Sequence, residues 1–197
     1  MNDLASYSLV GSSTARDLGR HLRFKQVNAT PGGQLVRGPK NISSIVEEAI
    51  QKDKFTIIIV GGNDCSERSK LPSPPDIIED YKKKVKALVA LRKRNFQKKE
   101  GHLIFTLLLP RYLNSSHAVT AQNNRINTDL KNIIRKSREQ GENWISWIET
   151  QELTNPRFFK SDQIHLNFAG NQKLAQLIKE TAMKSTQITQ RKMITHS

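Results

Sequence analysis

The chain is poor in cysteine, poor in aromatics and short of acid. Its 197 residues contain one cysteine, Cys65. A lone cysteine excludes an intramolecular disulfide and the cysteine-rich zinc sites; at this position we expect a small packing residue. No apolar run approaches the ~18 residues of a membrane-spanning helix; the longest core-like stretches are Thr56–Val60 and Leu103–Leu109. The first residues, MNDLASYSLVGSS, have neither a basic n-region nor an apolar h-region. A soluble, intracellular protein is therefore expected, cytoplasmic or else nuclear or ribonucleoprotein-associated, and not secreted. The histidines His21, His102, His117 and His196 are scattered without ligand spacing, so no metal and no cofactor is expected.

What is present is globular and basic. Apolar residues make up 36% of the chain, enough for a sizeable core and too many for wholesale disorder. Lysine and arginine outnumber acids 32 to 18, a net charge of +14. That excess makes an anionic partner worth testing, such as RNA or an acidic membrane surface. It is concentrated in Lys82–Lys99, which holds nine basic residues and no acid. Lys82, Lys83, Lys86, Arg92, Lys93 and Arg94 are the candidate nucleic-acid or anion contacts, with a plain solvated helix face as the alternative.

Apolar patterning alternates between strand and helix. Tyr7–Val10, Phe24–Asn28, Phe55–Val60, Leu103–Leu109 and Trp144–Ile148 read as strands. Thr14–Leu22, a segment opened by a Ser44/Glu47 capping box, a long helix from Ile77, Ala121–Gln140 and Asn167–Met183 read as helices. The capping-box helix would carry Ile45, Val46, Ala49 and Ile50 on its apolar face. Leu71–Pro75, with three prolines, reads as a loop. This order predicts an α/β fold, a three-layer α/β/α sandwich around a five-stranded parallel sheet. We expect one domain over residues 1–183 and a basic, flexible tail over 184–197.

In such sheets the working residues gather beyond the carboxyl ends of the strands. Four segments lie there. Ser12-Ser13 follows the first strand and offers a hydroxyl, or merely a helix N-cap. Pro31-Gly32-Gly33 follows the second and offers a bare backbone N–H, or an ordinary turn. Gly62-Asn63-Asp64 follows the third and offers a side-chain amide, or an Asx-type turn. Asp162-x-x-His165 precedes the last helix. Its Asp can fix the imidazole tautomer, or else Asp162 or Asn167 is a cap and His165 incidental. Together they supply a nucleophile, oxyanion donors, a base and its orienter.

These blocks resemble the SGNH (GDSL-type) hydrolase superfamily, from Tyr7 to about Met183. Val10-Gly11-Ser12-Ser13 matches its first block, Gly32 its second, Gly62-Asn63-Asp64 its third and Asp162-x-x-His165 its last. Gly33 is an alternative register for the second block. Leu108-Leu109-Pro110-Arg111 and the spacing Ser161-Asp162-x-x-His165-x-Asn167-x-x-Gly170 are similar to esterase domains in the first open reading frame of LINE-type retrotransposons. The resemblance implies a flavodoxin-like SGNH fold and a serine esterase acting on a small ester or a lipid; with no long insertion to form an acyl tunnel or lid, a short, acetyl-like acyl group is expected. It implies Ser13, Asp162 and His165 as catalytic residues, with Ser13, Gly32 and Asn63 as the oxyanion hole. The family usually has Asp before its nucleophile, and Ser12 stands there in this chain. The competing reading is an inactive SGNH-like module that binds nucleic acid through its basic surface.

Overall fold

The computed structural model describes residues 4–60, 62–64, 66–67, 71–72, 76–96, 101–111 and 116–194. Five strands form one parallel sheet: β1 Ser8–Gly11, β2 Gln26–Ala29, β3 Phe55–Ile59, β6 His102–Thr106 and β7 Ile145–Ile148. Their spatial order is β2-β1-β3-β6-β7. Every pairing is parallel, with Leu9 opposite Val27 on one side and Ile57 on the other. The two remaining strands, β4 Ser66–Glu67 and β5 Leu71–Pro72, form a small antiparallel pair. The segment expected to be a loop over Leu71–Pro75 therefore begins with strand backbone.

The helices are α1 Ser13–Gly19, α2 Ser43–Lys52, α3 Ile77–Asn95, α4 Ser116–Glu139 and α5 Phe168–Ile194. They divide between the sheet faces by strand alternation. Val10, Ile58, Leu103 and Phe105 point to a core completed by Val46 and Ile50 of α2, Val85 and Leu88 of α3, and Leu130 and Ile134 of α4. Leu9, Ile57, Ile59 and Ile104 point the other way, to Ala15 and Leu18 of α1 and Leu174 and Ile178 of α5. Central strands buried on both faces read as continuous apolar runs, as β3 and β6 do.

The differences from expectation lie at element ends. No capping box opens α2. Ser44 is exposed inside the helix, Glu47 pairs with Lys84, and Asn41 Oδ1 instead accepts the Ser43 N–H at 2.8 Å. Ile45 points to solvent, with 37% of its surface exposed. At the other end of the chain, α5 continues through Ile194 rather than stopping near Met183. Residues 184–194 contain neither Gly nor Pro to break it.

The strand order reverses between β1 and β3, so β2 and β6 lie on opposite sides of that pair. A crevice opens at such a switch point, beyond the carboxyl ends of the two strands. Gly11 sets its width: a Cβ there would lie 2.0 Å from the Ile59 carbonyl oxygen. Its absence lets the Ser12 N–H donate to that oxygen at 3.0 Å as the chain leaves the sheet.

Candidate active site

A cavity of about 440 Å³ occupies this crevice. It is lined by Ser12 and Ser13 after β1, Gly32 after β2, Asn63 after β3, and His165 ahead of α5. The four separate blocks of the sequence thus meet in one place. Ser13 is the first residue of α1 and is buried, with 9% of its surface exposed. Its N–H lies in the first helical turn, where backbone donors lack intrahelical acceptors.

The two glycines of the second block are placed differently. Gly33 N–H donates to the Thr30 carbonyl at 2.8 Å, and Gly33 does not line the cavity. Gly32 does line it, and among the described residues its N–H donates to no acceptor. Gly32 has φ of 76°, a left-handed conformation that glycine adopts without a Cβ penalty.

Asn63 is held from both ends. Its Nδ2 donates to the Gly33 carbonyl at 3.0 Å, and its Oδ1 accepts from Arg111 Nη2 at 2.7 Å. Together the two bonds fix which end of the amide is nitrogen. Nδ2 carries two hydrogens, so one remains after the Gly33 bond. The following residue, Asp64, is buried and accepts the backbone N–H groups of Leu35 and Val36 at 2.9 and 2.8 Å. It staples the loop after Gly33 to the loop after β3. Burial pushes its carboxyl up to about 6, against the lowering effect of those backbone bonds.

The Asp162–His165 loop folds back on itself. Asp162 Oδ1 accepts the backbone N–H groups of Ile164 and His165 at 2.9 and 3.0 Å, while Oδ2 lies 2.7 Å from His165 Nδ1. The turn requires Gln163 at φ 55°, an unfavourable region for a side-chain-bearing residue. Burial alone would raise the Asp162 pKa; the bonds from the His165 and Ile164 N–H groups and from the imidazole outweigh it and hold the carboxyl at about 2. An ionised carboxylate at Nδ1 keeps that nitrogen protonated and leaves Nε2 as the basic atom. Asn167, not Asp162, caps α5: its Oδ1 accepts the Gly170 N–H at 3.0 Å. Its Nδ2 also holds the Arg157 carbonyl at 2.6 Å, anchoring the loop.

The expected basic strip is only partly a surface. Lys83, Lys86, Lys93 and Arg94 are exposed on α3, and Lys82 is half-buried. Lys82 lies 3.5 Å from Glu79, and Lys93 lies 2.6 Å from Glu142. Arg92 is a correction. It is 1% exposed and donates to the carbonyls of Ile50 at 3.2 Å, Asp53 at 2.6 Å, and Lys54. Burial lowers its pKa to about 10, with Asp53 opposing the shift. It satisfies chain turns between α2 and β3 and is out of reach of any partner. Lys98, Lys99, Cys65 and His196 lie outside the described residues, as do the side chains of His117, Arg191 and Lys192. Among the described residues, no three His, Cys, Asp or Glu side chains are grouped to hold a metal ion. No helix there is long and apolar enough to cross a membrane.

Arg111, Asp64 and Lys40 carry little signal in the sequence. Arg111 carried one signal, its place just after a core strand. Nothing local indicated that it reaches Asn63.

Comparison with known proteins gives the family and the fold. The sequence model of the GDSL-like lipase/acylhydrolase family matches residues 4–178. No curated protein matches the chain. Among solved structures, an acetylxylan esterase from Geobacillus stearothermophilus is similar with a TM-score of 0.64 at 17% identity, over 89% of this chain and 93% of that one. LAE5, an alpha/beta hydrolase enzyme from the metagenome of Lake Arreo, Spain, gives 0.62 at 16% identity, over 89% and 94%. A protein from Lactobacillus plantarum gives 0.63 at 10% identity, over 90% and 96%. At these identities the structural likenesses show the fold, a three-layer α/β/α sandwich of the SGNH type. The family match spans most of the chain, which therefore belongs to the GDSL-like lipase/acylhydrolase family and is a carboxylic ester hydrolase.

Proposed function

We propose that the chain hydrolyses a small, acetyl-like carboxylic ester through an acyl-serine intermediate on Ser13. The observation that carries this is the meeting of Ser13, Gly32 and Asn63 in one cavity with a histidine whose Nδ1 is held by Asp162. Ser13 Oγ attacks the ester carbonyl carbon while His165 Nε2 takes the hydroxyl proton. The carbonyl oxygen becomes an oxyanion, facing the N–H groups of Ser13 and Gly32 and the free amide hydrogen of Asn63. Collapse breaks the bond to the alcohol, which leaves with the proton from His165. A water molecule, deprotonated by His165, then attacks the acyl-serine and restores the hydroxyl.

A small acyl group is supported by the modest cavity and by a structural relative that is itself an acetylxylan esterase. Ser13 rather than Ser12 is the nucleophile in this reading, because it alone combines the buried position with the start of α1. The test is 4-nitrophenyl acetate hydrolysis by wild type, Ser13→Ala and Ser12→Ala, with 4-nitrophenyl decanoate as the long-chain control. We expect Ser13→Ala to abolish turnover, Ser12→Ala to retain it, and the acetate to be the better substrate. Equal turnover by wild type and Ser13→Ala refutes the mechanism.

Two narrower readings are separable from this one. The exposed Lys83, Lys86 and Arg94, spaced along one face of α3 and unpaired with acid among the described residues, favour RNA contact; salt-dependent RNA binding that survives Ser13→Ala and fails on charge reversal of those residues supports it. Kinship with retrotransposon esterase domains rests on Leu108–Arg111 and the Ser161–Gly170 spacing. A reverse transcriptase encoded downstream supports that kinship, and its absence opposes it.

A further inference from the structure

The cavity around Ser13 is electrically one-sided. Arg16, Lys40 and Arg111 line it and, among the described residues, no carboxylate does. The three cations differ in what they still offer. Arg111 is buried and donates to Asn63. Arg16 Nε and Nη2 contact Asp17 Oδ1 at 3.1 and 3.0 Å, and Lys160 approaches Asp17 Oδ2 at 4.0 Å. That corner is therefore partly neutralised. Lys40 is exposed, its Nζ donates to the neutral Pro31 carbonyl at 3.3 Å, and it has no acidic partner among the described residues.

Lys40 also has a defined position. A Cβ built on Gly32 would lie 3.3 Å from Lys40 Cδ and 3.5 Å from its Nζ. The ammonium thus hangs at the cavity rim beside Gly32, the residue whose N–H is proposed to face the oxyanion. A neutral ester gives this charge no counterion. An anionic group on the substrate would form a charge-assisted hydrogen bond there and be drawn in by the field of the other two cations.

We propose that the preferred substrate is an ester carrying an anionic oxygen group, a carboxylate or a phosphate, close to the reacting carbonyl, with Lys40 as the residue that selects it. The proposal rests on ester hydrolysis at Ser13. It competes with a simpler role in which Lys40 stabilises the oxyanion of every ester alike.

The experiment compares kcat/KM for three esters at low salt, with wild type and Lys40→Gln. They are 4-nitrophenyl acetate, which is neutral; mono-4-nitrophenyl succinate, with a carboxylate on the acyl side; and the acetyl ester of glycerol 3-phosphate, with a phosphate on the alcohol side. Acetate release is followed for the third. One anionic ester is expected to exceed the neutral one about tenfold, and the excess to shrink at about 0.3 M salt. Lys40→Gln is expected to cut the anionic-to-neutral ratio about tenfold, chiefly through KM. The anionic ester that loses most with Lys40→Gln identifies whether carboxylate or phosphate is read. An equal loss on all three esters assigns Lys40 to the oxyanion and overturns the proposal. So does an unchanged ratio, or a wild type without anionic preference that still turns over the neutral ester in a Ser13-dependent way. Failure to hydrolyse any of the three would instead sink the esterase mechanism beneath it.

Discussion

Truncating Arg111 should slow ester hydrolysis through a residue it does not share a strand or helix with. Arg111 is 6% exposed, and its Nη2 lies 2.7 Å from Asn63 Oδ1. A hydrogen bond from a charged donor is worth about 1.5–3 kcal/mol. It acts with the 3.0 Å bond from Nδ2 to the Gly33 carbonyl. Turning the amide over would bring its NH2 against the guanidinium and its oxygen against the carbonyl, losing both bonds and adding two repulsions. Without Arg111 only the Gly33 bond, about 1 kcal/mol, holds the amide in place. If about 1.5–2 kcal/mol of the guanidinium bond serves to aim the donor, Arg111→Met lowers kcat about 10–30-fold. Asn63→Ala removes the donor outright and should cost about 100–1,000-fold. The assay is a double-mutant cycle on kcat for 4-nitrophenyl acetate, a neutral ester that leaves charge steering out of the reading. Circular dichroism would confirm that each variant folds, and Arg111→Lys should recover part of the loss. In the Asn63→Ala background, Arg111→Met is expected to cost less than about threefold. A full tenfold loss in that background would refute positioning through the amide.

Asp162, held at about 2, stays ionised through the working range, so Asp162 should contribute no limb to the pH–rate profile above about pH 3. A folded pKa below the unfolded value of about 3.9 means its stabilisation is complete above that pH and lost as pH falls toward 2. The side chain is 44% exposed, so solvent screening keeps the contribution small. His102, with Nε2 2.8 Å from Ser146 Oγ, is depressed to about 3 by burial, then by Arg138 and Arg92. Its unfolded form binds a proton first, so stability falls as pH drops below about 6.5. Urea unfolding at pH 7 and pH 5 should show about 2 kcal/mol less acid destabilisation in His102→Gln than in wild type; an identical pH dependence would exclude this assignment. Arg92→Met strands three backbone carbonyls and should destabilise the fold by about 3–5 kcal/mol in urea unfolding, while leaving RNA affinity unmoved in folded protein. A loss of RNA binding without a loss of stability would restore Arg92 to the surface.

Much of the architecture was legible because it is written in neighbouring residues. The alternation of Leu9 with Val10 and of Ile57 with Ile58 assigns side chains to opposite faces, and each face found its own helices. The candidate site was legible for a related reason. In a parallel sheet, chain segments that follow strands must emerge at one edge, so Ser13, Gly32 and Asn63 had to converge once the strands were identified. Arg92 was misread although its signal was present. It continues the apolar stripe of Val85 and Leu88, and composition hid it among the surrounding cations.

The sequence by itself determined the fold class, the sheet edge that carries the candidate site, and the Asp162–His165 pair, whose partners are three residues apart. Only the tertiary structure set Gly32 and not Gly33 on the cavity wall, turned the Asn63 amide, and brought Arg111 and Lys40 to the cavity. The reason is range. Periodicity and turn chemistry act within a few residues, whereas Arg111 reaches Asn63 across 48 positions and Asp64 reaches Leu35 across 29. Such contacts exist only once the sheet has fixed where its loops meet.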